Sequence, residues 1–377
     1  MYNDAHLPRL FVSHRDAELD GLRGLAVSMV LAWHFIGIPA GSTAGELSHV
    51  LFRVFLLGGA GVDLFFVLSG FLITRIAITR QHANTHFLLA FFTRRVLRIL
   101  PPYLILLGIF YVGVFVFSPN NVFNQDIPLW RYLTFTQNFW MAQNGTYGPD
   151  GISVTWSVAI EEQYYLVFPL FAVLIPRKLL PVFLLIIAIA SVSWRALVFT
   201  YNPSNNFPPD LGTLARLDGL AVGGLIACTI QNAALTKWLR KHMSVLQYAV
   251  IGCLGALFFV KRDSGAQMAY FGHSMLTVCF ALVITYVMLN LGAESKLMRL
   301  LRSETLRFLG KISYSLYLFH PIILATGFLI TGYSKSLSGL PEVIILVTSL
   351  VLSIIFSNLL FNHFESRLIS IGKKISY

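Results

Sequence analysis

Cysteine is scarce in this chain. Cys228, Cys253 and Cys279 are the only three among 377 residues, and no CxxC pair occurs. An odd number scattered through apolar runs excludes a disulfide framework and a zinc site, so the three read as small packing residues. Charge is scarce too: 12% of residues are Asp, Glu, Lys or Arg, against about 25% in an average soluble domain. Most of the chain therefore does not face water. Acidic residues are outnumbered 17 to 28 by basic ones, for a formal net charge of +11. Such a balance can signal nucleic acid, but the basic residues sit in short segments between apolar runs, and no nucleic-acid partner is expected. Internal repeats and low-complexity segments are also lacking, which removes solenoids and propellers.

What is abundant is apolar sequence, 56% of the chain. Runs long enough to span a bilayer fall near 22–39, 54–78, 98–117, 156–175, 179–200, 211–230, 244–260, 268–291, 312–331 and 341–361. They predict an all-α, polytopic membrane bundle of about ten transmembrane helices. If successive connections alternate sides, 21 Lys and Arg residues share the side of the N-terminus. Six lie opposite (Arg53, Arg131, Arg195, Lys261, Arg262 and Lys335), and Arg216 lies within a run. That excess predicts both termini in the cytoplasm. The expected division is a cytoplasmic segment 1–17, a membrane domain 18–365 and a short cytoplasmic tail 366–377, with no second domain. The first run is too long for a signal peptide. Asp16, Glu18 and Asp20 before it also deny the positive flank, so it reads as uncleaved.

The most informative stretch is 18–35, ELDGLRGLAVSMVLAWHF. Arg23 and His34 are eleven residues apart. That is about 20° past three full helical turns, so both project from one face, about 16 Å apart along the axis. Arg23 marks the helix end and His34 lies inside, where an ionisable side chain is costly and points to function. The plain alternative is a buried histidine satisfied by a neighbouring helix. Asp63 follows Gly58, Gly59 and Gly61 at the depth of His34, beside a wall suited to close helix packing. Glu161 and Glu162 point about 100° apart, so one of the two is expected at a given site, and the sequence leaves open which. Arg216 and Asp218 lie at a similar depth and could neutralise one another or the glutamates.

Arg95 and Arg98 are i,i+3 neighbours on a basic amphipathic segment. It is expected to lie along the inner surface before turning up at Pro101 and Pro102. Ser69 is a weaker candidate, and Glu365 reads as a surface or inter-helix contact. His320 precedes Pro321 near mid-span, where it could serve a carbonyl that the proline frees, with a catalytic role as the lesser alternative. In segment 118–155, Trp130, Tyr132, Phe139, Trp140 and Tyr147 could stack on sugar rings or form an interfacial belt. Part of that segment is expected to re-enter the protein.

Six stretches occur in order: LDGLRGLAV with His34 eleven residues after Arg23, GGAGVDLFFVLSGFLITRI (58–76), RRVLRILPPY (94–103), WSVAIEEQYYLVFPL (156–170), RLDGLAVGGLIA (216–227) and LGKISYSLYLFHP (309–321). Together they resemble the acyltransferase-3 family, integral membrane enzymes that mostly O-acylate sugars of bacterial surface glycans. The resemblance covers residues 18 to about 365. It implies a multi-pass O-acyltransferase of the bacterial cytoplasmic membrane. The donor would be acyl-CoA, acetyl-CoA first among the candidates. The acceptor would be a hydroxyl of a glycan or lipid-linked sugar, such as a polysaccharide or O-antigen, on the outer side.

On that reading Arg23, Arg95 and Arg98 hold the donor phosphates. His34 takes the hydroxyl proton, while Asp63 or Glu162 orients the imidazole. Glu161, Arg216 and Asp218 face the acceptor. No metal is called for, and an acyl-histidine intermediate stays open. The rival class is a proton-coupled transporter, which also needs membrane carboxylates and histidines. A carrier would more often carry two related halves with matching broken helices, and the sequence has no such similarity.

Overall fold

A computed structural model describes residues 16–80, 84–117, 120–257 and 265–375. Nearly all of the N-terminal segment 1–17 lies outside the described residues, as do Lys261, Arg262 and the end of the 244–260 run. Among the described residues all regular structure is helical. The apolar helices follow in order as α1 (Ala17–Gly41), α2 (Glu46–Thr79), α3 (Asn84–Phe117), α4 (Thr155–Leu174), α5 (Leu180–Tyr201), α6 (Phe207–Gln231), α7 (Met243–Leu257), α8 (Gly265–Leu289), α9 (Glu304–Thr331) and α10 (Leu340–Lys374). Apart from α7, which is shorter, these nine are long and apolar enough to cross a membrane. The chain is an all-helical membrane bundle, as its apolar runs predict.

The closest pairings are α2 with α6, α1 with α9 and α5 with α6. Lipid gives helices no hydrophobic reason to associate, so close backbone approach has to supply the contact. Glycines permit it. A Cβ on Gly70 of α2 would stand 1.8 Å from the Leu220 carbonyl oxygen of α6. Gly310 of α9 faces Gly24 of α1 in the same way, and its Cβ would stand 1.8 Å from the Asp20 carbonyl oxygen. That second contact fixes Arg23, the neighbour of Gly24, against α9.

The start of α1 meets the end of α2 and the segment before α9. Arg75 pairs there with Asp16 at 2.6 Å, and Arg302 with Glu18 at 3.6 Å. The Arg94 guanidinium donates to the Ile375 carbonyl. Arg94 therefore ties α3 to the C-terminal end.

One expectation changes and another holds. The amphipathic segment is not a separate surface helix, because α3 runs as one 34-residue rod through Pro101 and Pro102. At about 51 Å it is longer than the roughly 30 Å hydrocarbon core. Surface-lying and spanning stretches are thus one element, and the two prolines cost it only the amides that would serve Leu97 and Arg98. Segment 118–155 does fold back into the protein, through short helices Leu129–Leu133 and Gln137–Asn144. Gln137 Nε2 donates to the Thr155 carbonyl at 2.9 Å and Asn138 Nδ2 to the Leu211 carbonyl at 3.0 Å. Tyr132 is consequently core, whereas Trp130, Phe139 and Tyr147 stay exposed.

Candidate active site

A cavity of about 770 Å³, counting its open mouth, lies between α1, α2, α3, α4 and α9. Arg23 enters it from α1, Ser69 from α2, Arg95 and Arg98 from α3, Glu161, Glu162 and Tyr165 from α4, and Tyr314 and Tyr317 from α9. Helical register explains the convergence. Glu161 and Tyr165 are one turn apart on α4, as Arg95 and Arg98 are on α3. Glu161 accepts hydrogen bonds from Ser69 Oγ at 2.9 Å and Tyr165 Oη at 3.1 Å. Glu162 also lines the cavity, yet accepts no hydrogen bond from any described residue. Both adjacent carboxylates therefore reach one site, which the 100° separation alone did not lead us to expect.

The Arg95 guanidinium lies over the rings of Phe91 and Tyr165, 5.4 and 5.0 Å from their centroids. Such stacking leaves the in-plane donors of the guanidinium for an anion. Arg23 Nη1 stands 3.2 Å from Asp20 Oδ1 at the same end. At the far end the Tyr317 hydroxyl meets Ser157 Oγ at 2.6 Å, bridging α9 to α4.

His34 is not in the wall of this cavity. It sits in a π-helical turn of α1, Trp33–Gly37, an irregularity frequent at functional sites. Its Nδ1 donates to the Val30 carbonyl at 2.9 Å. That bond assigns the tautomer and leaves Nε2 a lone pair. His320 on α9 repeats the arrangement, with Nδ1 3.0 Å from the Leu316 carbonyl oxygen. The two imidazoles meet edge to face with centroids 4.7 Å apart. The Tyr317 ring touches the cavity and packs 6.1 Å from the His320 ring, so it separates the histidine pair from the arginine cavity.

The other charged candidates are elsewhere. Asp63 Oδ1 pairs with Arg216 Nη2 at 2.5 Å, and Arg216 Nη1 donates to His273 Nδ1. His273 Nε2 donates in turn to Asp210 Oδ1 at 2.7 Å. Asp218 pairs with Arg195 at 3.0 Å, and Arg195 is wholly buried between α5, α6 and α8. Arg195 thus leaves the set of outer basic residues. The placing of Asp63, Glu162, Arg216 and Asp218 around His34 is corrected as well. Rotation about the helix axis decides which neighbour a side chain meets. The imidazole of His34 is oriented by a carbonyl of its own helix instead of a carboxylate. Glu365 is the inter-helix contact expected of it, accepting from Ser315.

Tyr165, Tyr314, Tyr317 and Ser157 escaped the sequence reading. A signal existed for two: Tyr314, Tyr317 and His320 recur every third residue, a single stripe along α9. Nothing in their local sequence marks Asp210, His273 or Arg195 as partners.

The family model for an acyltransferase domain, of the acyltransferase-3 type, matches residues 16–361. The O-acetyltransferase OatA of Staphylococcus aureus strain NCTC 8325 is 29% identical over 341 residues, 86% of this chain and 51% of that protein. A putative O-acetyltransferase of S. aureus strain COL is 26% identical over 367 residues, 92% of this chain and 56% of its own length. The chain spans about half the length of the curated relatives it matches. No solved structure matches it significantly.

Proposed function

The chain belongs to the acyltransferase-3 family, and from that premise we propose that it is a membrane O-acyltransferase. It moves an acetyl group from acetyl-CoA to a hydroxyl of a glycan or lipid-linked sugar. The carrying observation is the cavity, where three arginines and two glutamates converge one tyrosine away from two histidines. Arg23, Arg95 and Arg98 bind the donor phosphates, for which guanidinium forks are suited. The pantetheine arm extends past Glu161 and Glu162 towards Tyr317. Glu162, with its unused acceptor oxygens, receives a donor group of the substrate. His34 Nε2 takes the hydroxyl proton as the oxygen attacks the thioester carbon. The carbon–sulfur bond breaks, and the proton ends on the sulfur of CoA. Exposed Trp130, Phe139 and Tyr147 offer rings to the acceptor sugar.

The face holding the start of α1 is cytoplasmic on this reading, because most Lys and Arg residues fall there. The membrane is the bacterial cytoplasmic one. Purified protein in lipid nanodiscs, given labelled acetyl-CoA and a panel of glycans, should form donor-dependent O-acetyl esters detectable by mass spectrometry. Proton or sugar movement across vesicles with no ester on any acceptor would favour a transporter.

A further inference from the structure

We propose that His320 is the proton partner of His34 in the transfer reaction, an inference that rests on His34 being the base. His320 is 0% exposed, and its Nε2 has no hydrogen-bond partner among the described residues. A buried acceptor left empty is rare and calls for an explanation. Its neighbours do not fill it. The Tyr317 hydroxyl is engaged by Ser157 and the Val154 carbonyl, and the Phe35 ring 6.3 Å away is apolar. Lys335 of the α9–α10 connection is the charged side chain whose field reaches both histidines. What lies against His320 is His34, which has its own Nδ1 committed to the backbone. Two imidazoles in contact, both tied through Nδ1, leave two lone pairs and no proton between them.

The reaction supplies that proton. The acceptor O–H bond breaks, its proton moves to His34 Nε2, and the oxygen forms the ester bond. The new N–H of His34 then donates to the empty Nε2 of His320, which holds the charge on the side of Tyr317 and the donor cavity. The carbon–sulfur bond breaks, and the thiolate takes the proton as CoA leaves as a thiol. No further reagent is needed. His320 acts through His34, so it is a positioning and proton-holding residue.

The test compares His320→Gln, His320→Asn and His34→Gln in nanodiscs, following kcat, donor KM, the pH–rate profile and thermal unfolding. Glutamine can still donate to the Leu316 carbonyl but cannot hold a proton. His320→Gln should lower kcat about 10²-fold, the lower end for positioned acid–base groups. Donor KM and unfolding should be unchanged, and one ionisation should vanish from the profile. His320→Asn should behave alike. A folded His320→Gln enzyme with native kcat and native pH profile overturns the proposal. Loss of folded protein in both variants assigns His320 to packing and also overturns it. If His34→Gln is inactive while His320→Gln is native, this inference alone fails. If His34→Gln stays active, the reading of His34 fails and takes this inference with it.

Discussion

Asp63 and Arg216 show what a buried charge is worth when its partner is fixed. Each side chain is 3% exposed, and His273 and Asp210 extend the pair towards the surface. Removing one member of a buried pair strands the other, typically at about 3–5 kcal/mol. Asp63→Asn should therefore lower thermal stability markedly in any lipid environment. A catalytic role for Asp63 would instead cost turnover and leave unfolding unchanged, so measuring both decides. His34 is expected to behave in the opposite way. His34→Gln keeps a polar group able to bond the Val30 carbonyl but supplies no base. It should lose transfer by about 10²–10⁴-fold while retaining fold and donor binding. An active His34→Gln enzyme would remove it from the mechanism. The sequence shows these residues as ionisable groups at membrane depth, and that much is legible from hydropathy. Their partners are not, because Arg216 meets Asp63 from 153 residues away and pairing at that range depends on how the helices are rotated.

Elements are joined here by glycine. Gly58 and Gly61 were legible as a packing wall, and both stand against α1, where a Cβ would meet backbone oxygens of Met29 and Ala26 at 2.5 and 2.4 Å. The Gly24–Gly310 contact was not legible, since the two glycines are remote in sequence and Gly310 lies outside the 312–331 apolar run. It predicts an asymmetry. Gly310→Ala forces α1 and α9 apart, which should lower the unfolding temperature. It should also weaken donor affinity, because Arg23 moves with α1. Gly252→Ala on α7 meets nothing within 4 Å. It should be neutral or stabilising by up to about 1 kcal/mol, the helix-propensity gain alone. Equal effects of the two substitutions on unfolding would contradict this account of the α1–α9 contact. The π-turn at His34 was illegible for a similar reason: nothing in WHFIG departs from a regular apolar helix.

At the scale of the whole molecule the proposed reaction needs two faces, a cytoplasmic one for the donor and an outer one for the acceptor. Burial of Arg195 leaves five of the six outer basic residues, which strengthens the imbalance that orients the chain. Cysteine substituted for exposed Trp130 should label only from outside the cell, and cysteine substituted for Lys374 only after permeabilisation. Labelling of position 130 from the cytoplasmic side alone would reverse the orientation and with it the route of the donor. The class was legible because length and apolarity fix it, while nine of the ten expected spans are long enough among the described residues. The cavity was not, because it is assembled from five helices that no local pattern relates.

That cavity is the centre of the account, and titrating acetyl-CoA into purified protein in nanodiscs tests it most directly. The comparison is between the native chain and the Arg95→Ala/Arg98→Ala variant. Saturable binding is expected, weakened at least about tenfold by the double substitution, or about 1.4 kcal/mol. Lysine at both positions should restore only part, for want of the planar fork. Native affinity in a folded double variant would contradict the assignment of this cavity to the donor.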